Sequence, residues 1–221
     1  MSFALGQDWA FCFAGDRIVL MDIKRDTYLL LSPDLEGALR QLISNPDGIG
    51  IARPSLQRLF DRGIIRMGRD QEGVLPARLD ERPARSAMAE VSDRPVFPLA
   101  AILSLLDARR AVRRVPFSRI IGAMRSGKNR AVSHAAPDAD DLIAEIVSNF
   151  ACAARFSRSF DQCLPRSLAM AKALFRRNVP VSLVVGVALR PFAAHCWVQY
   201  GDVVLNDRVE VVRDYQPILV I

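Results

Sequence analysis

The reading of this chain turns on Ser159-Phe160-Asp161-Gln162-Cys163-Leu164-Pro165-Arg166-Ser167 and the residues that follow it, LAMAKALFRRNVPVSLVVGV over 168–187. Proline is favoured in the first turn of a helix, where its missing N–H costs nothing, and Pro165 precedes an apolar stripe of Leu168, Ala171 and Leu174. The spacing predicts a helix over 163–177 with Cys163 at its N-terminus. There, unpaired backbone N–H groups and the positive end of the helix dipole favour thiolate over thiol. The same N–H groups can donate to an oxyanion. An isolated cysteine is more often just a small buried residue, so Cys163 alone decides nothing.

The rest of the C-terminal half supplies the context. β-type runs cover 181–189, 195–200, 203–205 and 209–212, and 217–221 adds a last strand. His195 sits in PFAAHCWVQY over 191–200, on a strand with apolar neighbours. A polar ring there needs a partner, and a cysteine would supply one. Asn206 and Asp207 follow one hairpin later. Pairing through Gly201-Asp202 puts Asp207 near the level of His195, where a carboxylate could hold the far ring nitrogen. If Asp207 faces away, Asn206 could orient the ring instead.

Upstream, helical spacing covers 97–112, 117–124 and 138–156. Helices followed by an antiparallel sheet make an α+β domain over 96–221. Residues 68–95 are charged and proline-bearing with little periodicity, and read as a linker. Residues 1–67 form a smaller α+β module. A hairpin joins 18–21 to 28–31 through the polar turn 22–26. Helices follow from Ser32-Pro33-Asp34 and over 54–62, with Leu56, Leu59 and Phe60 on the second helix's face. Gly63 ends that helix and 64–67 forms a closing strand. The order is winged-helix-like.

Composition bounds these readings. The chain has 221 residues, 51% hydrophobic, with a formal charge of +6 and a pI near 9.6. That supports real cores and gives a weak preference for acidic partners. Cys12, Cys152, Cys163 and Cys196 form no CxxC pair, and the two histidines do not join them at zinc spacing. No metal site is expected. The longest apolar runs are too short to span a bilayer, and the N-terminus lacks the pattern of a signal peptide, so a cytoplasmic protein is expected. A basic stretch runs through Arg109, Arg110, Arg113, Arg114, Arg119, Arg125, Lys128 and Arg130. It reads as a solvated helix face, with partner docking as the alternative. DNA binding is disfavoured, because helix 54–62 offers only Arg58 and Arg62 as cations beside Asp61. His134 reads as a loop residue. No phosphate-binding loop is present.

The segment from CLPRSLAMAKALFRRNVPVSLVVGV through PFAAHCWVQ to Asn206-Asp207 resembles the transglutaminase-like, papain-like cysteine peptidases of lasso-peptide biosynthesis, the B proteins of the microcin J25 type. The resemblance implies a catalytic Cys163, His195 and Asp207, cleaving a leader peptide from its core through a thioester. It departs from the family pattern at Cys196, where a small residue such as alanine is expected, and at Gln199, where an acidic residue is frequent. The stretch FAGDRIVLMDIKRDTYLLLSP with LFDRGII is similar to the PqqD-like recognition element of the same systems. That implies a groove formed by Tyr28, Leu30, Leu56, Leu59 and Phe60, in which a precursor's leader adds as a strand. An asparagine-synthetase-like cyclase is the implied partner. ATP use is expected through that partner, with no cofactor held by this chain. A transglutaminase-like acyl transferase and a non-catalytic precursor chaperone are the competing readings.

Overall fold

A computed structural model describes residues 2–68, 72–87, 98–155 and 163–221. The chain divides into two compact units, Met1–Arg78 and Leu79–Ile221.

The first unit begins with two strands that the sequence reading left unassigned, β1 (Ser2–Leu5) and β2 (Trp9–Ala14). β2 continues into β3 (Arg17–Asp22) and β4 (Thr27–Leu30) as an antiparallel meander. The turn between β2 and β3 is two residues long and starts with Gly15 at φ +62°. A left-handed first turn residue matches the twist of the two strands, which is why glycine serves there. Asp22 closes the next turn by accepting from the backbone N–H groups of Lys24 and Arg25. α1 (Pro33–Ser44) begins with proline, and α2 (Arg53–Asp61) carries Pro54 in its first turn. β5 (Ile65–Gly68) returns to pair with β1. Phe11, Ile18 and Leu20 from the sheet, Leu35, Leu39 and Leu42 from α1, and Leu59 from α2 form one core with Ile64 and Ile65. Glu36 is buried beside it, held by the guanidinium groups of Arg17 and Arg40 and the Ile18 N–H. Those donors hold its carboxyl below the usual range against the opposing pull of burial.

Within the segment expected as a linker over 68–95, residues 72–84 carry no helix or strand, but parts of the segment are packed. Val74 is buried in the first unit's core. β6 (Arg85–Ser86) joins the second unit's sheet. Residues 69–71 and 88–95 of that expectation lie outside the described residues, as do Phe97 and Phe156 at the ends of two expected helices.

The second unit places α3 (Leu99–Arg114), α4 (Phe117–Ser133) and α5 (Ala139–Arg155) around α6 (Cys163–Arg176). α6 is the inner helix: Ser167 to Ala171, Leu174 and Phe175 are all buried, so it is covered on several sides. α4 runs nine residues past its expected end at Met124. In the extension Gly127 sits on the buried face, where a Cβ would come 3.0 Å from the Phe175 ring. The sheet runs in the order β10 (Gln216–Val220), β7 (Ser182–Leu189), β8 (Phe192–Tyr200), β9 (Val203–Val204), β6. It is antiparallel except for the β6–β9 pair.

One expected strand is a helix. Val209–Val212 forms the single turn α7. The β-branched composition favoured a strand, but Val209 and Val212 are the buried pair, a helical spacing of three, and the Val209 N–H donates to Ser86 Oγ at 2.7 Å. Tertiary packing overrides propensity here.

Candidate active site

Three elements of the second unit bring Cys163, His195 and Asp207 together. Cys163 is the first residue of α6. His195 is on β8, opposite Gly186 of β7. Asp207 follows β9, carried back toward β8 by the hairpin at Gly201, whose φ is +54°. His195 Nε2 lies 2.7 Å from Asp207 Oδ2, with both side chains partly buried. The other ring nitrogen, Nδ1, is thereby left for Cys163, whose thiol makes a side-chain hydrogen bond with the ring. Asp207 Oδ1 accepts from the Arg208 N–H at 2.7 Å.

The electrostatics follow from these contacts. Burial pushes the Cys163 thiol up, but the His195 ring and the backbone N–H groups of Cys196 and Leu164 outweigh it, and the thiol ends below its ordinary value of 9.0. Burial alone would lower His195. Asp207 and Cys163 reverse that and raise it to about 9. Asp207 is raised by burial and lowered further by His195, the Arg208 N–H and the charge of Arg166, for a net fall. A thiolate, an imidazolium and a carboxylate therefore support one another, an arrangement suited to nucleophilic attack.

His195 also rests on aromatic rings, with Trp197 6.3 Å away and stacked and Tyr215 at 5.1 Å. Gly186 makes room for them: a Cβ there would stand 2.7 Å from Trp197 and 2.9 Å from the Tyr215 Cβ. Neither ring was singled out from the sequence. The one signal was a glycine inside the apolar run Leu183 to Val187, which marks a close approach.

Asn206 does not contact His195 in the way the alternative reading required. Its Oδ1 accepts from the Val198 N–H at 2.8 Å and its Nδ2 donates to Ser167 Oγ at 2.8 Å. Gln199, where an acidic residue was expected, is buried. Its amide nitrogen donates to the carbonyls of Glu81 and Gly201 at 2.8 and 2.7 Å, and its oxygen accepts from Trp197 Nε1. A carboxylate could not make the two donations. Cys196 is buried and desolvation pushes its thiol well up, while burial raises Cys12 to about 12. No metal-ligating cluster occurs among the described residues.

The same unit holds a cavity of about 310 Å³ between α5 and the sheet, with Ile143, Val147, Tyr200, Val203 and Leu205 in its walls. A narrower cleft shares Val147 and Leu205 with it and reaches Phe150, Arg166 and Asn206. Arg85, Ser86, Asp140 and Ser148 add polar groups to the larger one.

The expected leader groove lies in the first unit, and its residues differ in exposure. Leu30 and Phe60 are 46% and 44% exposed, and Tyr28 is half-buried. Leu56 packs partly against the core. Leu59 is corrected: it is fully buried in that core and has no surface to offer a ligand. On α2 the buried face is centred on Ser55 and Leu59, four residues apart, and Phe60 points away from it. β4 ends its sheet, and its outer edge pairs with no strand among the described residues. The basic residues of α3 and α4 are largely solvated, and Lys128 donates to Ser182 Oγ at 3.1 Å. His134 is the exposed residue that ends α4.

A cysteine at the start of an inner helix thus meets a histidine of the adjoining antiparallel sheet and an aspartate just beyond β9, a Cys-His-Asp constellation within an α+β unit. The chain belongs to the Transglutaminase-like superfamily, which it matches over residues 102–220. It is 35% identical over 68 residues to the microcin J25-processing protein McjB of Escherichia coli. That alignment covers 31% of this chain and 33% of the relative. No solved structure matches. Among the described residues, no helix is long and apolar enough to cross a membrane.

Proposed function

We propose that this protein is a leader peptidase of lasso-peptide maturation, carrying both the cleavage site and a leader-recognition element. The observation that carries the chemistry is His195 held between Asp207 and Cys163 at the start of α6. The partial match to a microcin-processing protein supports the substrate class.

In this reading the Cys163 thiolate attacks the carbonyl carbon of the last leader peptide bond. A C–S bond forms, and the oxyanion is met by N–H groups at the start of α6. The His195 imidazolium gives a proton to the departing core amine as the C–N bond breaks. A thioester to the leader remains. His195 then removes a proton from water, the hydroxide attacks the thioester, and thiolate is regenerated with a free carboxylate on the leader. The core leaves with a free amine. That is the nucleophile an ATP-using, asparagine-synthetase-like cyclase would need to close a macrolactam.

Mass spectrometry of the cleaved precursor tests this. Hydrolysis gives a leader fragment with a free carboxylate and a core with a free amine. If added amines appear condensed onto the leader at the expense of the free acid, acyl transfer is the activity instead. If the precursor is held but stays intact, the protein is a precursor chaperone.

The first unit is assigned the PqqD-like role because β4 offers an open edge and Leu30 and Phe60 expose apolar surface in the same unit. A leader strand would gain backbone hydrogen bonds on that edge and apolar contacts nearby. Leu30→Asp and Phe60→Asp are each expected to weaken binding of a fluorescein-labelled leader about 10- to 100-fold, as loss of a buried apolar anchor does. Cleavage at saturating precursor should be little changed. Unaltered anisotropy titrations for both variants would remove this surface from consideration.

A further inference from the structure

The three site residues come from three different segments, and each has a near neighbour in one hydrogen-bond chain that is buried at Ser167 and partly buried at Asn206. Ser167 is one helical turn after Cys163 and has no exposed surface. Its hydroxyl donates to the Cys196 carbonyl, the residue after His195, at 2.8 Å. It accepts from Nδ2 of Asn206, the residue before Asp207, at 2.8 Å. Asn206 Oδ1 in turn accepts from the Val198 N–H at 2.8 Å.

The direction of every bond is forced. The Val198 N–H can only donate, so the amide oxygen must face it and the amide nitrogen must face Ser167. The Cys196 carbonyl can only accept, so the serine proton points there. The Asn206 side chain also extends the β8–β9 ladder. Gln199 and Tyr200 pair with Val204 and Val203, and the Val198 carbonyl takes the Leu205 N–H. The next rung is side chain to backbone, which turns the chain at Asn206 and releases Asp207 toward His195.

We propose that Ser167 and Asn206 form a latch that holds α6, β8 and the Asp207 segment in register, making both of them positioning residues for the thiol–imidazole–carboxylate line. The latch rests on the peptidase reading for its consequence in turnover, but its effect on the thiol does not need a substrate. A fully satisfied buried network fixes geometry closely, and a misplacement of about 1 Å at a reacting centre can cost about 100-fold.

The test compares Ser167→Ala, Asn206→Ala, their double variant, and Asn206→Asp. The last keeps the size of the side chain and an oxygen for Val198, but cannot donate to Ser167. For each, alkylation of Cys163 by iodoacetamide is followed by peptide mass spectrometry across pH, without substrate. Leader cleavage is measured separately. The expected result is an upward shift of the Cys163 alkylation midpoint and a fall in kcat of about 10- to 100-fold with KM within about twofold. Because the two residues act in one chain, the double variant should be no worse than the worse single. Asn206→Asp, as the near-isostere, should fold cooperatively and still show the shift. If it keeps the parent's alkylation midpoint and kcat, the latch is rejected. A parent protein that cleaves no precursor defeats the peptidase reading alone, because the midpoint shift is measured without it.

Discussion

Cys163→Ala is expected to reduce leader cleavage by at least about 10⁴-fold while leaving leader affinity within about twofold of the parent. The size follows from what the thiol supplies. In this reading it is the group that forms the covalent bond to the leader, and the His195 ring helps hold its pKa below the ordinary value of 9.0. Alanine removes the nucleophile without disturbing much else. Cys163 is half-buried at a helix start and in no disulfide, and alanine is a good helix former. Cys163→Ser should recover almost nothing, since a hydroxyl has far too high a pKa to ionise there. Cys12→Ala and Cys196→Ala are the controls in which burial keeps the thiol protonated, and neither should lower the rate by more than the cost of repacking. Quantitative cleavage assays with matched anisotropy titrations check all four. A Cys163→Ala protein that cleaves at close to the parental rate sinks the assignment.

The sequence made the line from Cys163 to Asp207 legible because each residue had a local reason for its place. Pro165 marked the helix start, a β-type run placed His195 on a strand, and Gly201 marked the hairpin that returns Asp207. What stayed hidden depends on contacts between distant segments. Ser167 looked like one more polar residue in a helix, and only the fold shows it reaching Cys196 and Asn206. The helix expected to end at Met124 runs on because Gly127 packs against Phe175, which is on another helix. Val209 to Val212 read as a strand because composition cannot say that positions three apart will be covered. β1 was missed for a similar reason: its pairing partner is β5, some sixty residues on. The leader-groove set shows the same limit in reverse. Periodicity put Leu56, Leu59 and Phe60 together on a helix, but it could not tell the core-facing Leu59 from the exposed Phe60.

Asp207→Ala is expected to move the alkaline limb of the kcat/KM profile down by at least about one pH unit and to lower the plateau by about 10²- to 10⁴-fold. The direction follows from the contacts. His195 is held up to about 9 because the Asp207 carboxylate, 2.7 Å from Nε2, stabilises its protonated form. Without the carboxylate, burial still disfavours the imidazolium, so the ring deprotonates at lower pH. Cys163 then loses the positive neighbour that kept its thiol below 9.0, and its pKa rises. In the parent, activity should climb through the depressed thiol pKa and fall near 9, where the proton needed by the departing amine is lost. In the variant the two limbs converge and the plateau narrows. These limbs belong to the coupled pair rather than to either residue alone. Trp197 and Tyr215 still flank the ring, so its position should survive and the change should be electrostatic. Asp207→Asn keeps an oxygen that can accept from Nε2–H but lacks the charge, and should fall between parent and alanine variant. Cleavage rates from pH 5 to 10 distinguish the cases, and an alkaline limb that stays near 9 in Asp207→Ala would mean that His195 is not held by this carboxylate.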